Sequence, residues 1–152
     1  MSTIQSTAIA QWHDFVTTGD ASRLAAVIDH DAIFESPVVH TPQAGQARVV
    51  AYLTAATTVL GGPAFHYTGE WSNATGAVLE FETVVDGVTI NGVDIIRVTD
   101  DGQRIAAFKV MIRPLKAVNL VHQLMAAMLA DQRAPSATSS ASGVNGSSPD
   151  PG

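Results

Sequence analysis

The sequence predicts an α+β domain in which a curved antiparallel sheet wraps around N-terminal helices, with a further helix at the C-terminal end. Three observations predict it. The hydrophobic period changes from 3.6 to 2 after the breaker Gly61-Gly62-Pro63. Alternating segments then follow near 64–72, 77–85, 88–99 and 104–113, separated by the turn sequences SNATG, DG and DDG, which is the pattern of an antiparallel meander. Finally, PLKAVNLVHQLMAAMLADQ places a proline where a helix starts, followed by more apolar positions than one narrow stripe needs.

In chain order, residues 3–18 put Ile9, Trp12, Val16 and the neighbouring Phe15 on one helical stripe. The tetrapeptide TTGD ends that helix, and Asp20 caps a second over about 21–28, with Leu24, Val27 and Ile28 inward. The segment DHDAIFESPVV turns into a strand that Pro37 interrupts. A third helix over about 45–60 carries Val49, Val50, Tyr52, Leu53 and Ala56. A sheet of this kind must cover one face with these helices, and a curved sheet around helices leaves a pocket at its mouth.

At 152 residues and 46% hydrophobic composition the chain supports one substantial core, so one domain is expected over 1–133. Residues 134–152, APSATSSASGVNGSSPDPG, offer only Val144 for burial and read as a disordered Ser/Gly/Pro-rich tail. A net charge of −6 with lysines and arginines occurring singly excludes a phosphate-neutralising patch, so neither nucleic acid nor an anionic membrane is an expected partner. The absence of cysteine excludes disulfides, thiolate metal sites and a cysteine nucleophile. With no basic leader and no 18-residue apolar run, a soluble cytoplasmic protein is expected. No histidine pair has metal-ligand spacing, and no nucleophile elbow, P-loop or dinucleotide fingerprint occurs, so neither a metal nor a cofactor is expected.

Strand phase isolates one residue. Over 88–98, Ile90, Gly92, Asp94, Ile96 and Val98 share a side, so a carboxylate lies between two isoleucines. In the flanking strands Leu79, Phe81 and Thr83 share the matching face, as do Ala106, Phe108, Val110 and Ile112, while Ile105, Lys109, Met111 and Arg113 point the other way. That opposite face mixes Glu80, Glu82, Arg97, Lys109 and Arg113 with Val78, Val93, Ile95 and Met111, a composition that suggests a homodimer interface. A carboxyl group in an apolar pocket loses hydration, its pKa rises, and the neutral form donates a hydrogen bond or a proton at neutral pH. The other reading is that Asp94 satisfies a buried hydroxyl or amide and organises the core.

FVTTGDASRLAAVIDHDAIFESPV, then helix and meander, then DIIRVTDDGQRIAAFKVMIRPL together resemble the nuclear-transport-factor-2-like, or SnoaL-like, superfamily, over roughly residues 5–115. The resemblance implies a cystatin-like cone and leaves function open among isomerases, cyclases, hydrolases, dehydratases and binding proteins. Aligned with ketosteroid isomerases, Asp94 takes the place of the oxyanion-hole acid, Ser36 that of the base and Trp12 that of the oxyanion-hole tyrosine; His40 or Glu35 would have to supply the base instead. Limonene-type epoxide hydrolases are resembled in the closing strands, but Val110 stands where their second aspartate falls and 77–83 holds no arginine. SnoaL-like cyclases need chiefly one aspartate in an apolar, aromatic pocket.

The sequence therefore points to a pocket for a hydrophobic small molecule with Asp94 as acid or oxyanion donor in isomerase- or cyclase-type chemistry. Leu79, Phe81, Ile90, Phe108, Val110 and Ile112 are expected to line its floor, with Trp12, Ser36 and Tyr52 near them. The alternative is a non-catalytic ligand-binding or dimerisation module.

Overall fold

The structure is a computed structural model that describes residues 6–133; the tail expected over 134–152 lies outside the described residues. The elements are α1 (Thr7–Thr18), α2 (Ala21–Val27), β1 (Ile28–Glu35), β2 (Gln43–Ala44), α3 (Gln46–Leu60), β3 (His66–Asn73), β4 (Gly76–Val85), β5 (Val88–Val98), β6 (Ile105–Arg113) and α4 (Leu115–Arg133).

Helix boundaries follow from local chemistry. The Ser6 side chain accepts from the Ile9 amide, and Gly19 ends α1 in the left-handed region at φ 70°, its N–H donating to the Phe15 carbonyl. Asp20 then caps α2 by accepting from the Ser22 amide at 3.0 Å. One face of α1 buries Ile9, Trp12 and Phe15 against the sheet.

The sheet order is β2-β1-β6-β5-β4-β3. From β3 to β6 it is the antiparallel meander expected, with the β4–β5 hairpin turned by Asp86 and Gly87, both at positive φ as a two-residue loop requires. β1 adds to this meander in parallel with β6, which makes the sheet mixed, and the short β2 pairs antiparallel with β1. The parallel neighbour is possible because α3 and the whole β3–β5 segment intervene between the two strands.

Three irregularities shift the register of the sheet, one of them between Ile28 and Ile33 where β1 runs beside β6. Between Arg97 opposite Ala107 and Val98 opposite Ile105 the register slips, so Ile105, placed outward by strict alternation, turns into the core and is fully buried. A further slip lies between Tyr67 opposite Phe81 and Gly69 opposite Glu80. It leaves Tyr67 and Glu70 on the inner face, Glu70 across from Leu79, while Trp71 lies across from outward Val78.

The core runs between α1, α2, α3 and the concave face, with Ala117 and Val121 of α4 joining it and Phe15, Phe34, Phe81 and Phe108 fully enclosed. Gly92 faces Phe81 across the β4–β5 pair, where an added Cβ would come within 2.5 Å of the Phe81 ring tip. The absence of a side chain there is what lets Phe81 lie across the sheet beside Asp94. At the other end, the buried Thr83 hydroxyl donates to the Leu60 carbonyl at 3.1 Å and ties the end of α3 to β4. Among the described residues, no helix is long and apolar enough to cross a membrane.

Candidate functional site

β5 carries Asp94 on the concave face, opposite Leu79 on one side and Val110 on the other, with Ile90 and Ile96 two residues away in each direction. All four neighbours are buried, and Asp94 itself is only 6% exposed. The carboxyl group does not stand alone, because the Tyr67 hydroxyl on β3 donates to its Oδ2 at 2.8 Å. Trp12 Nε1 on α1 in turn donates to the Tyr67 hydroxyl oxygen at 2.9 Å. The indole is held for this by packing against Phe15 and Phe108, at ring separations of 5.4 and 4.7 Å.

Asp94 closes the inner end of a 260 Å³ cavity between α1, α3 and the sheet. Its walls are largely apolar, including Val16, Leu53, Leu60, Phe65, Phe81 and Phe108. Thr17, Gly61 and Gly62 also line it and are exposed, so the mouth lies where α1 and α3 end. Among the described residues no buried side-chain nitrogen or oxygen lacks a hydrogen-bond partner. Asp94 Oδ1 makes no bond of its own, and it is therefore open to the cavity.

The remaining side-chain donors on the walls are already committed. Thr17 and Thr57 donate back to the carbonyls of His13 and Leu53, at 3.0 and 2.8 Å, and Trp12 and Tyr67 donate along the chain just described. A ligand therefore meets one side-chain hydrogen-bond donor in this cavity, the Asp94 carboxyl in its neutral form.

Burial pushes the Asp94 pKa up to about 7 from an ordinary 3.8, against the opposing pull of the Tyr67 hydrogen bond, which favours the carboxylate. Tyr67 is also raised, first by burial and then by the nearby Asp94 charge, with the Trp12 hydrogen bond acting in the other direction. It stays a neutral donor. Beside it, half-buried His13 meets the Tyr67 ring edge-on at 5.5 Å and pairs with Glu70 at 2.8 Å.

Of the residues anticipated from sequence, the cavity brings together Asp94, Trp12, Phe81, Phe108 and Val110. The others lie elsewhere. Leu79 and Ile90 are fully buried core residues, Ile112 is half-buried against the core, and Tyr52 packs on Phe34 at 5.5 Å. Ser36 Oγ accepts from the Val38 amide beyond the end of β1. His40 is exposed, and Glu35 pairs with Lys109 at 3.1 Å, so neither stands on the cavity wall as a base. Tyr67, not among the site residues anticipated, is the partner of Asp94; its place across from inward-facing Phe81 is set by the register between β3 and β4, which the sequence of either strand does not encode. Among the described residues no cluster of three His, Cys, Asp or Glu side chains is placed to hold a metal.

The model of the SnoaL-like domain family matches residues 9–108. The chain belongs to the SnoaL-like family. This SnoaL-like chain is 35% identical to a steroid delta-isomerase from Pseudomonas aeruginosa, with a TM-score of 0.78 over 84% of this chain and 92% of that one. It is 29% identical to a protein with a cystatin-like fold from Silicibacter pomeroyi, with a TM-score of 0.75 over 83% and 88% of the two chains. An NTF2-like protein from Mesorhizobium loti, 20% identical with a TM-score of 0.60 over 70% and 88%, shares the fold alone. No curated protein matches the SnoaL-like sequence.

Proposed function

We propose that this protein is an enzyme that binds a small hydrophobic carbonyl compound in its cone, with neutral Asp94 donating from Oδ1 to the carbonyl or enol oxygen. The observation that carries the reading is the unpartnered Oδ1 at the inner end of an open aromatic cavity whose other side-chain donors are used. A donor placed in an apolar site strengthens as negative charge develops on the ligand oxygen, which is the requirement for enol or enolate formation. The steroid delta-isomerase likeness supports proton-transfer chemistry of the isomerase or cyclase type.

Two features narrow the ligand. At 260 Å³ the cavity falls just below the about 300–1,000 Å³ of pockets for drug-sized ligands, which suits a compact one- or two-ring molecule. No second carboxylate lines it, so the proton leaving carbon must pass to water at the open mouth while neutral Asp94 hydrogen-bonds the developing enolate oxygen, and the substrate best suited is one whose C–H is already acidified by two flanking carbonyls, as in a β-keto ester. A thermal-shift series at pH 6 with cyclic ketones, lactones, epoxides and a size-matched hydrocarbon tests this. Carbonyl compounds are expected to stabilise the fold by about 2.7 kcal/mol at a hundred times their Kd. Equal stabilisation by the hydrocarbon, or none by any carbonyl compound, would refute the reading.

The outer sheet face supports a homodimer: Val78, Val93 and Ile95 are half-buried, and Met111 is 51% exposed among charged neighbours. Sedimentation at micromolar concentration is expected to give a dimer, and a monomer would remove that proposal.

A further inference from the structure

We infer that Trp12 is a positioning residue that dictates which oxygen of Asp94 carries its proton, by fixing the direction in which the Tyr67 hydroxyl donates.

An indole N–H can only donate, whereas a phenol hydroxyl donates and accepts. With Trp12 Nε1 donating to the Tyr67 oxygen at 2.9 Å, the Tyr67 hydrogen cannot point back at the indole, and the polar atom next within reach is Asp94 Oδ2 at 2.8 Å. Oδ2 is thereby an acceptor in both charge states. When Asp94 takes up a proton, that proton belongs on Oδ1, the oxygen open to the cavity. Were the chain free to reverse, neutral Asp94 could donate from Oδ2 to the Tyr67 oxygen instead, and Oδ1 would face the ligand as an acceptor. A ketone would then find no donor.

The surroundings leave this control to Trp12. Opposite Asp94, β4 and β6 present Leu79 and Val110, and the cavity-lining part of α3 presents Leu53, Ala56, Thr57 and Leu60, none of them ionisable. From β3 come Tyr67 and Glu70, and from α1 His13, which pairs with Glu70 beside the tyrosine ring. Tyr67 is the group that touches the carboxyl, and Trp12 is the side chain whose hydrogen bond orients Tyr67.

Trp12→Phe keeps an aromatic ring and deletes the N–H. In the ligand-free protein, followed by the Asp94 carboxyl ¹³C signal, the Asp94 pKa is expected to rise, because an unsupported Tyr67 is a weaker donor to the carboxylate. Tyr67→Phe should move it the same way. Since Trp12 acts through Tyr67, adding Trp12→Phe to Tyr67→Phe should cause no further shift. Where Asp94 acts as the donor proposed above, cyclohexanone binding at pH 6 should fall about tenfold in Trp12→Phe, the loss of roughly one hydrogen bond, while methylcyclohexane binding is retained. An unchanged Asp94 titration in Trp12→Phe, additive shifts in the double variant, or equal loss of both ligands would overturn the role of Trp12. A wild-type protein that binds the two ligands alike would refute the donor reading instead, and the ligand-free titrations would still decide the Trp12 assignment.

Discussion

Replacing Asp94 with asparagine is expected to slow enolisation of a cyclic β-keto ester at least about a hundredfold, the usual scale of a positioned acid, with ketone affinity at pH 6 kept within several-fold. The split between the two readouts follows from the geometry. An amide oxygen can accept from Tyr67 in place of Oδ2, and the amide nitrogen then presents N–H to the cavity where Oδ1 now stands. Binding of a neutral carbonyl needs that donor alone. Stabilising a developing enolate needs the more acidic donor, which asparagine does not supply, and removal of such groups commonly costs 10²- to 10³-fold, again by order of magnitude. The pH dependence separates the variants further. Wild-type affinity for a ketone should decline as pH rises through about 7, where Asp94 loses its proton and both oxygens become acceptors. The asparagine variant should show a flat profile. Deuterium exchange at the acidic carbon, followed by proton NMR, gives the rate. A protein that serves only to bind would show no Asp94-dependent exchange at all.

The same substitution is expected to stabilise the fold, and increasingly so towards alkaline pH. The folded state holds the Asp94 proton until about 7, whereas an unfolded chain releases it at an ordinary 3.8. Between these values the folded state binds more protons, so the contribution of Asp94 to stability is fully present below about 4 and is lost as pH rises through 7. At about 1.4 kcal/mol for each tenfold, the loss amounts to roughly 4 kcal/mol at most, a large share of the about 5–15 kcal/mol typical of a domain. Asparagine has no proton to lose. Urea unfolding of wild type and variant at pH 5 and pH 8 should therefore show a difference that grows with pH in favour of the variant. Taking the difference cancels the contributions of every group that the two proteins share. A difference that is constant, or that shrinks as pH rises, would mean that burial does not raise this carboxyl group.

Much of the fold was legible because its signals are local. The period change at Gly61-Gly62-Pro63, the Asp86-Gly87 turn and the Asp20 cap each depend on a few adjacent residues, and the elements they delimit stand within a few positions of their expected ends. The parallel pairing of β1 with β6 was not legible, since nothing in the alternation of either strand encodes its neighbour. Ile105 was misplaced because a bulge is a property of two strands in register, not of one. The site shows the same division. Alternation put Asp94 on the concave face with Phe81, Phe108 and Val110, and the structure opens the cavity beside all of them. Leu79 and Ile90 share that face and yet are sealed in the core, because strand phase says which side a residue faces and not which helix covers it. Tyr67 lies just before the β3 bulge, where alternation is weakest as a guide.

The most direct measurement is a ¹³C titration of the Asp94 carboxyl carbon in the wild-type protein, alone and saturated with cyclohexanone. A buried donor should titrate near 7 in the free protein, and its pKa should move higher with the ketone bound, because the ketone binds the neutral form. Titration in the ordinary carboxylate range around 3.8, unmoved by the ketone, would contradict the assignment of Asp94 as the donor in this cavity.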